Sequence, residues 1–496
     1  SEATITLDEK FTAATNITPS KAIIAYEAAP TSVTINEETT SSATPGESKG
    51  EVRVVIPATA ETSSKPNITI NTPNLTAGLY ADDSSVGTHY GEVTATTATN
   101  TLIIGTKVTV DKVVVNGGNV RVNAGAKLTA IERGSGNTNT VYVYYEDVNT
   151  LPENYQDIEN VTFISAEEEE VIAFQAAMAA GGEVQLTEDL DITGTKITVP
   201  ASITTTLDLN GHTLTAANDG DITVLGSLTL KDSSAEAQGK IVASKDYGID
   251  TPYTTTLIYV NGENAKFTME SGTIYAVRED AVNKGQFGVG VRDGGDFTIT
   301  GGRIEAGWYA IAGNGTDTKY NSEINISGGE LISTMDYAVY LPQSGTTTIT
   351  GGTINGAAGG ISIQRGTLNI SGNAQVLSDG TGNTGDWGDG TGDQANSSLM
   401  VAGEYGTCTV NISGGTFKAE GDAITLATGT DTNVITVSGG TFSDLSVLPY
   451  VAENANVNIA LNGDVTIENE ILMLDSQNAA VSINLQDNTL TLNQSS

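Results

Sequence analysis

Residues 324–373 read INISGGELISTMDYAVYLPQSGTTTITGGTINGAAGGISIQRGTLNISGN, and one phrase keeps returning: ISGG or ITGG, one further residue, then an apolar side chain. The copies are MESGTI (269–274), ITGGRI (299–304), ISGGEL (326–331), ITGGTI (349–354), ISGNAQV (370–376), ISGGTF (412–417) and VSGGTF (437–442). Their third residues lie 30, 27, 23, 21, 42 and 25 positions apart. A coiled ribbon of strands with connections of varying length produces such spacing, whereas a propeller blade needs roughly 40–45 residues.

Within each copy apolar and polar residues alternate, the period of a strand. Ile326 faces inward, Ser327 outward, and the glycine pair turns the chain with no Cβ in the way before Leu331 faces inward again. A second apolar piece follows at nearly constant distance, placing Ile311, Val339, Ile361 and Ile424 seven or eight residues beyond Ile304, Leu331, Ile354 and Phe417. Stacking such units buries a face that no unit can bury alone. Ile299, Ile326, Ile349, Ile370, Ile412 and Val437 are expected to form one inward ladder, and Ile304, Leu331, Ile354, Phe417 and Phe442 another. The Ser and Thr residues at 300, 327, 350, 371, 413 and 438 are expected to form an outward polar column. The fold class predicted is all-β, a right-handed parallel β-helix, the hand following the bias of parallel connections. A spacing near 24 residues predicts about eleven coils over 184–445.

Working outward, the stretch 379–398 (DGTGNTGDWGDGTGDQANSS) reads as a long loop without a strand. Upstream, Glu167–Glu170 followed by Val171, Phe174, Ala177 and Met178 predict one short helix, stopped by Gly181 and Gly182. It would cover the open end of the main β-helix, where unpaired strand edges are a hazard. The end of the chain echoes these opening coils: Asp464 matches Asp189, Ile467 matches Ile192, and INLQDNTL matches LDLNGHTL. Ile483, Leu485 and Leu490 are expected to turn inward there as a closing apolar layer. Residues 1–160 are β-rich without helical stretches, and either a smaller, narrower β-helix or a β-sandwich fits them. Short strands separated by tiny turns, as in 100–131, favour the β-helix. The domains read are thus 1–160, a main β-helix over 161–460, and closing coils over 461–496.

The 496 residues carry 60 acidic and 22 basic side chains, a net charge of -38. That argues against nucleic acid and against anionic membrane surfaces as partners. No run of 18 apolar residues spans a bilayer. The only cysteine, Cys408, excludes an internal disulfide framework and lies in phase with a strand, the setting of a buried thiol rather than a nucleophile. The opening SEATITLDEK has neither Met nor a secretory leader, the pattern of a processed chain, and the composition is that of an exported protein.

Three clusters are candidates for function. Arg278, Glu279 and Asp280 with Arg292, Asp293 and Asp296 could pair carboxylates for acid–base work, with an arginine holding a uronate; salt bridges between coils are the plainer alternative. Asp379, Asp386, Asp389 and Asp393, separated by glycines, could wrap calcium or simply line an acidic loop. Trp308, Tyr309, Tyr337, Tyr340 and Trp387 could stack on sugars or pack at corners. His212, in NGHT, reads as a turn residue, and His89 lies too far off in sequence to presume a pair.

The segments AAMAAGGEVQLTEDLDI and LDLNGHTLT and the ISGGTF copies resemble parallel β-helix proteins of the pectate-lyase-like superfamily. More narrowly, they are similar to surface or secreted proteins of gut Bacteroidetes. The resemblance implies the fold over about residues 100–496. Among its enzymatic members, pectate lyases gather carboxylates around calcium beside a basic residue, and polygalacturonases carry a GHG and an RIK; this chain has neither GHG nor RIK, and nothing in it resembles a complete lyase site. No residue is therefore assigned as catalytic, cofactor-binding or metal-ligating. The expected function is a non-enzymatic, exported cell-surface protein, an adhesin or glycan-contacting scaffold. Glycans or host or bacterial surface components are its expected partners, and the chain is expected to be a monomer. The alternative is a polysaccharide lyase or glycoside hydrolase acting on an acidic glycan.

Overall fold

A computed structural model describes residues 2–7, 20–25, 32–37, 50–56, 65–71, 76–81, 87–95, 101–136, 138–216, 222–244, 255–277, 286–315, 319–381, 396–427, 432–468 and 478–493. The chain divides into two compact units, Ser1–Glu170 and Val171–Ser496.

In the first unit, successive strands alternate between two parallel sheets as far as Lys127–Leu128; Ile131–Arg133 then pairs in the first sheet, and the last two strands both lie in the second. One contains Glu2–Leu7, Ser32–Glu37, Asn67–Asn71, Thr88–Ala95, Val108–Val115 and Lys127–Leu128. The other contains Ser20–Ala25, Gly50–Ile56, Thr76–Ala81, Thr101–Ile104, Asn119–Val122, Val141–Tyr145 and Val161–Ser165. Each strand pairs in parallel with one of its own sheet on a neighbouring coil, which defines a narrow two-sided coil and not a sandwich of antiparallel hairpins. The alternating Val108, Val110, Val113, Val115, Val120 and Val122 are all fully buried between the sheets.

In the second unit each coil has three faces. The first and second faces merge into a 20-stranded sheet, and the third forms a 9-stranded parallel sheet. The predicted ladders hold residue by residue: Ile299, Ile326, Ile349, Ile370, Ile412 and Val437 pair in register. So do Ile304, Leu331, Ile354, Val376, Phe417 and Phe442. Ile311, Val339, Ile361, Leu399 and Ile424 form the third ladder. All these side chains are buried, each contributing about 1.5–3 kcal/mol of apolar burial. Phe417 stacks on Phe442 with centroids 4.8 Å apart.

The repeated glycine pair now has its physical reason. A Cβ on Gly328 would lie 2.2 Å from the Thr300 carbonyl oxygen of the preceding coil, and one on Gly351 would lie 2.5 Å from that of Ser327. The second glycine takes a left-handed conformation, with φ of 85° at Gly302, 81° at Gly329 and 84° at Gly352. One position is excluded by close approach and the next by φ.

Among the described residues the third face holds nine strands. The loop read over 379–398 ends earlier than expected: Ser397 and Ser398 open the strand Ser397–Val401, which pairs with Gly359–Ile363.

The helix spans Ala166–Ala180. A reciprocal cap starts it: Ser165 Oγ accepts from Glu168 N at 3.1 Å, and Glu168 Oε2 accepts from Ser165 N at 2.7 Å. Gly181, with φ of 86°, ends it. Phe174 and Met178 are buried in the core of the second unit, and the Met178 carbonyl accepts from Thr205 Oγ1 at 2.9 Å.

At the other end, the echo of the opening coils is structural. Asp189 Oδ1 accepts from Thr213 N at 2.8 Å, and Asp464 Oδ1 accepts from Thr489 N at 2.7 Å. Of the residues expected to close the core there, Ile483 stacks in register on Ile459 and is 38% exposed, Leu485 is 40% exposed, and Leu490 is half-buried against the core of the second unit.

Candidate functional site

The third-face strands Tyr309–Ala312 and Tyr337–Leu341 are buried on both sides. Their inward residues join the core; their outward residues form a second cluster of Trp308, Tyr309, Ala312, Tyr337, Tyr340, Met400 and Ala402. Tyr309 stacks on Tyr340 at 4.8 Å and on Trp308 at 5.3 Å. The Tyr337 ring lies over Gly359, where a Cβ would come within 2.0 Å of it. Trp308 Nε1 donates to Asp336 Oδ2 at 2.5 Å, and Asp336 Oδ1 accepts from Tyr337 N at 2.7 Å. Of the two readings of these aromatics, the structure selects corner packing: Trp308 is 9% exposed, Tyr340 8% and Tyr337 0%, which leaves no ring face for a sugar. Trp387 lies outside the described residues.

Of the first charged cluster, Arg292, Asp293 and Asp296 lie among the described residues. The Arg292 guanidinium lies 4.4 Å over the Tyr259 ring, a cation–π contact. Asp293 occupies a turn with φ of 51°. Asp296 accepts from Glu323 N at 3.1 Å, and burial raises its carboxyl above the ordinary range. Arg278, Glu279 and Asp280 lie outside the described residues, as do Asp386, Asp389 and Asp393. Asp379 accepts from Asn355 Nδ2 on the preceding coil at 3.1 Å. Among the described residues no group of three or more His, Cys, Asp and Glu is placed to hold a metal ion. His212 closes a turn, its N–H bonded to the Leu209 carbonyl at 2.8 Å. Cys408 is fully buried, and burial pushes its thiol up to about 12.

Sequence reading missed three groupings. In the first unit, Tyr80 donates to Glu51 Oε1 at 2.5 Å, Arg53 Nε donates to Oε2 at 2.9 Å, and the guanidinium lies 4.5 Å over the Tyr80 ring. Burial and that bond push the Tyr80 hydroxyl up to about 12, so the group stays neutral. Their spacing of two and about thirty residues carried no motif. The second grouping is a carboxylate pair: Asp422 is raised first by burial and then by Asp444. Asp444 accepts from Ala423 N at 2.6 Å and Ser446 N at 2.8 Å, capping the turn Leu445–Tyr450.

The third is a pair of adjoining hollows. One, of about 660 Å³, follows the corner between the first and second faces, lined by Asn373, Gln375, Thr416, Thr441 and Asn458 with the bare backbones of Gly372, Gly414, Gly415 and Gly440. It exists because the corner residues have no side chains. The other, of about 380 Å³, shares Thr416 and Thr441 and adds Lys418, Ser443, Asn462, Gln486 and Asn488. Asn462 and Asn488 each spend an Nδ2 donor on a backbone carbonyl, at 2.6 and 2.7 Å. Among the described residues, Lys418 is the only charged one lining either hollow. Amides, hydroxyls and backbone can bind hydroxyls, but they supply no acid–base pair. The glycine turns were visible in sequence; that they align into a hollow depends on stacking.

No family model matches the chain, and neither a curated protein nor a solved structure matches it. Among the described residues no helix is long and apolar enough to cross a membrane.

Proposed function

We propose that this is an exported cell-surface protein, adhesin-like, that contacts glycans or other surface components as a monomer without turning them over. The carrying observation is the pair of hollows lined by amides, hydroxyls, glycine backbone and the Lys418 ammonium, with no carboxylate among the described lining residues. Sugar hydroxyls are donors and acceptors at once, which suits Asn, Gln and Thr. The finer reading, a relative of pectate-lyase-like surface proteins of gut Bacteroidetes, rests on the sequence phrases alone. The test is a glycan array with wild-type protein and with Asn458→Ala plus Gln375→Ala. Loss of signal in the variant supports the reading; equal signal removes the hollow as the contact.

The runner-up, a lyase or hydrolase on an acidic glycan, is favoured by one observation, the Asp422–Asp444 pair. Against it, Asp444 is already engaged by two backbone N–H groups. New reducing ends or unsaturated products, abolished by Asp422→Asn, would establish it.

A further inference from the structure

Six asparagines stand immediately before a glycine: Asn116, Asn210, Asn261, Asn314, Asn355 and Asn462. Such a pair can react with itself. The glycine nitrogen has no Cβ beside it, so it can reach the asparagine side-chain carbonyl carbon unless a hydrogen bond holds one partner in place. Five of the six pairs are held. Asn210 Nδ2 donates to the Leu186 carbonyl at 3.1 Å, and Gly211 N donates to Asp232 Oδ1 at 2.8 Å. Asn355 Nδ2 donates to Asp379 Oδ2 at 3.1 Å, and Asn462 Nδ2 donates to the Ala419 carbonyl at 2.6 Å. Gly262 N, after Asn261, donates to the Arg292 carbonyl at 3.2 Å. Asn314 has a partner as well, and the Gly315 carbonyl accepts from Arg365 Nη1 at 3.5 Å.

The pair at Asn116 differs. It lies in the bend between the strands Val108–Val115 and Asn119–Val122, where the chain passes from one sheet of the first unit to the other. Among the described residues, the Asn116 carboxamide and the Gly117 N–H make no hydrogen bond; the backbone N–H of Asn116 donates to the Ala95 carbonyl at 2.8 Å. Asn116 is half-buried, and its Oδ1 stands where a Cβ on Gly134 of the following coil would lie, so the carboxamide rests on bare backbone. Gly117 is buried, and a buried N–H without an acceptor is costly. Gly118, with φ of 72°, completes the bend.

We infer that Asn116 is a site of self-modification, where the folded chain deamidates without an enzyme. The Gly117 nitrogen attacks the Asn116 side-chain carbonyl carbon and gives up its proton to water. The new C–N bond closes a succinimide ring, and the bond to the side-chain nitrogen breaks, releasing ammonia. Water then opens the ring at either carbonyl and leaves aspartate or isoaspartate. No oxidant or cofactor enters the balance. Ring closure also turns the unpaired N–H into an imide nitrogen with no donor left to satisfy. Isoaspartate adds one methylene to the backbone between Val115 and Val120, both fully buried in the core of the first unit, so the two strands cannot both keep their register. The site therefore records the age of the folded chain. This inference is independent of the glycan-contact reading.

The test ages the full chain in mildly alkaline buffer, in parallel with the same chain in denaturant, and maps all six asparagines by mass spectrometry in one digest. In the native chain Asn116 should convert at least about tenfold faster than any of the other five, whereas in denaturant the six rates should draw together. Isoaspartate should be detected at 116 by its carboxyl methyltransferase and be absent there from Asn116→Gln, whose longer side chain closes its ring slowly. Hydrogen exchange over 108–122 should quicken in the aged wild type and stay unchanged in aged Asn116→Gln. Six similar rates in the native chain, faster conversion at another of the six, or conversion of Asn116 in denaturant alone would each overturn the inference.

Discussion

Trp308 donates its indole N–H to the buried carboxylate of Asp336 at 2.5 Å, tying one coil to the next. Asp336→Ala removes the carboxylate that accepts from that N–H and from the Tyr337 N–H. The expected cost is about 2–4 kcal/mol, read by urea unfolding and accompanied by a change in tryptophan emission. Asp336→Asn keeps an acceptor and should cost less than half as much. Equal stability of wild type and Asp336→Ala would mean that the bond contributes nothing.

Ile349 lies between Ile326 and Ile370 in the inward ladder, fully buried. Ile349→Asp places a charge where nothing can pair with it, at about 4 kcal/mol or more. Because each coil is covered by its neighbours, hydrogen exchange should quicken over several coils on either side, not over one turn. Protection lost in a single coil would contradict the stacked core.

Cys408 is sealed in the core of the second unit, its thiol donating to the Ile363 carbonyl at 3.5 Å. With the thiol pushed up to about 12 by burial, a thiol reagent at pH 8 should find it inert in the native state and react fully in denaturant. Rapid native labelling would show that the coil opens there.

Asp208 and Asp232 are expected to contribute to the acid limb of stability. Burial raises each carboxyl, but hydrogen bonds outweigh it: Ser233 N and Asn210 N donate to Asp208 at 3.0 Å, and Gly239 N and Gly211 N donate to Asp232 at 2.6 and 2.8 Å. Both carboxyls therefore lie below their ordinary value of 3.8. A depressed folded-state value means that the stabilisation is present above 3.8 and is lost as the pH falls below it. Thermal melts should drop steeply in that range, and Asp208→Asn with Asp232→Asn should flatten the drop. An unchanged slope would assign acid sensitivity elsewhere.

The inward side of this protein was legible in its sequence, and the outward side was not. The phase of Ile326, Ile349 and Leu331 follows from a period of two and a recurring glycine pair, both local properties. The burial of Tyr309 and Tyr340 on the outer side of the third face is not local, because it depends on side chains from other coils, Phe287 and Met400 among them. Asp336 reads as an ordinary turn residue until its neighbour, 28 positions away, is known to be Trp308. The hollows share this character: glycines at 372, 414, 415 and 440 are plain in the sequence, but their alignment depends on which coil follows which. Ile483 and Leu485, 38% and 40% exposed, show that inward periodicity fixes a side chain's direction and not its degree of burial.

The central claim is contact with glycans without turnover. The direct measurement incubates full-length protein with a panel of neutral and acidic plant and host glycans. Bound glycan and new reducing ends or unsaturated uronates are then quantified in the same sample. The account predicts saturable binding that falls in Asn458→Ala plus Gln375→Ala, with glycan length unchanged. New chain ends that accumulate with time and disappear in Asp422→Asn would contradict it.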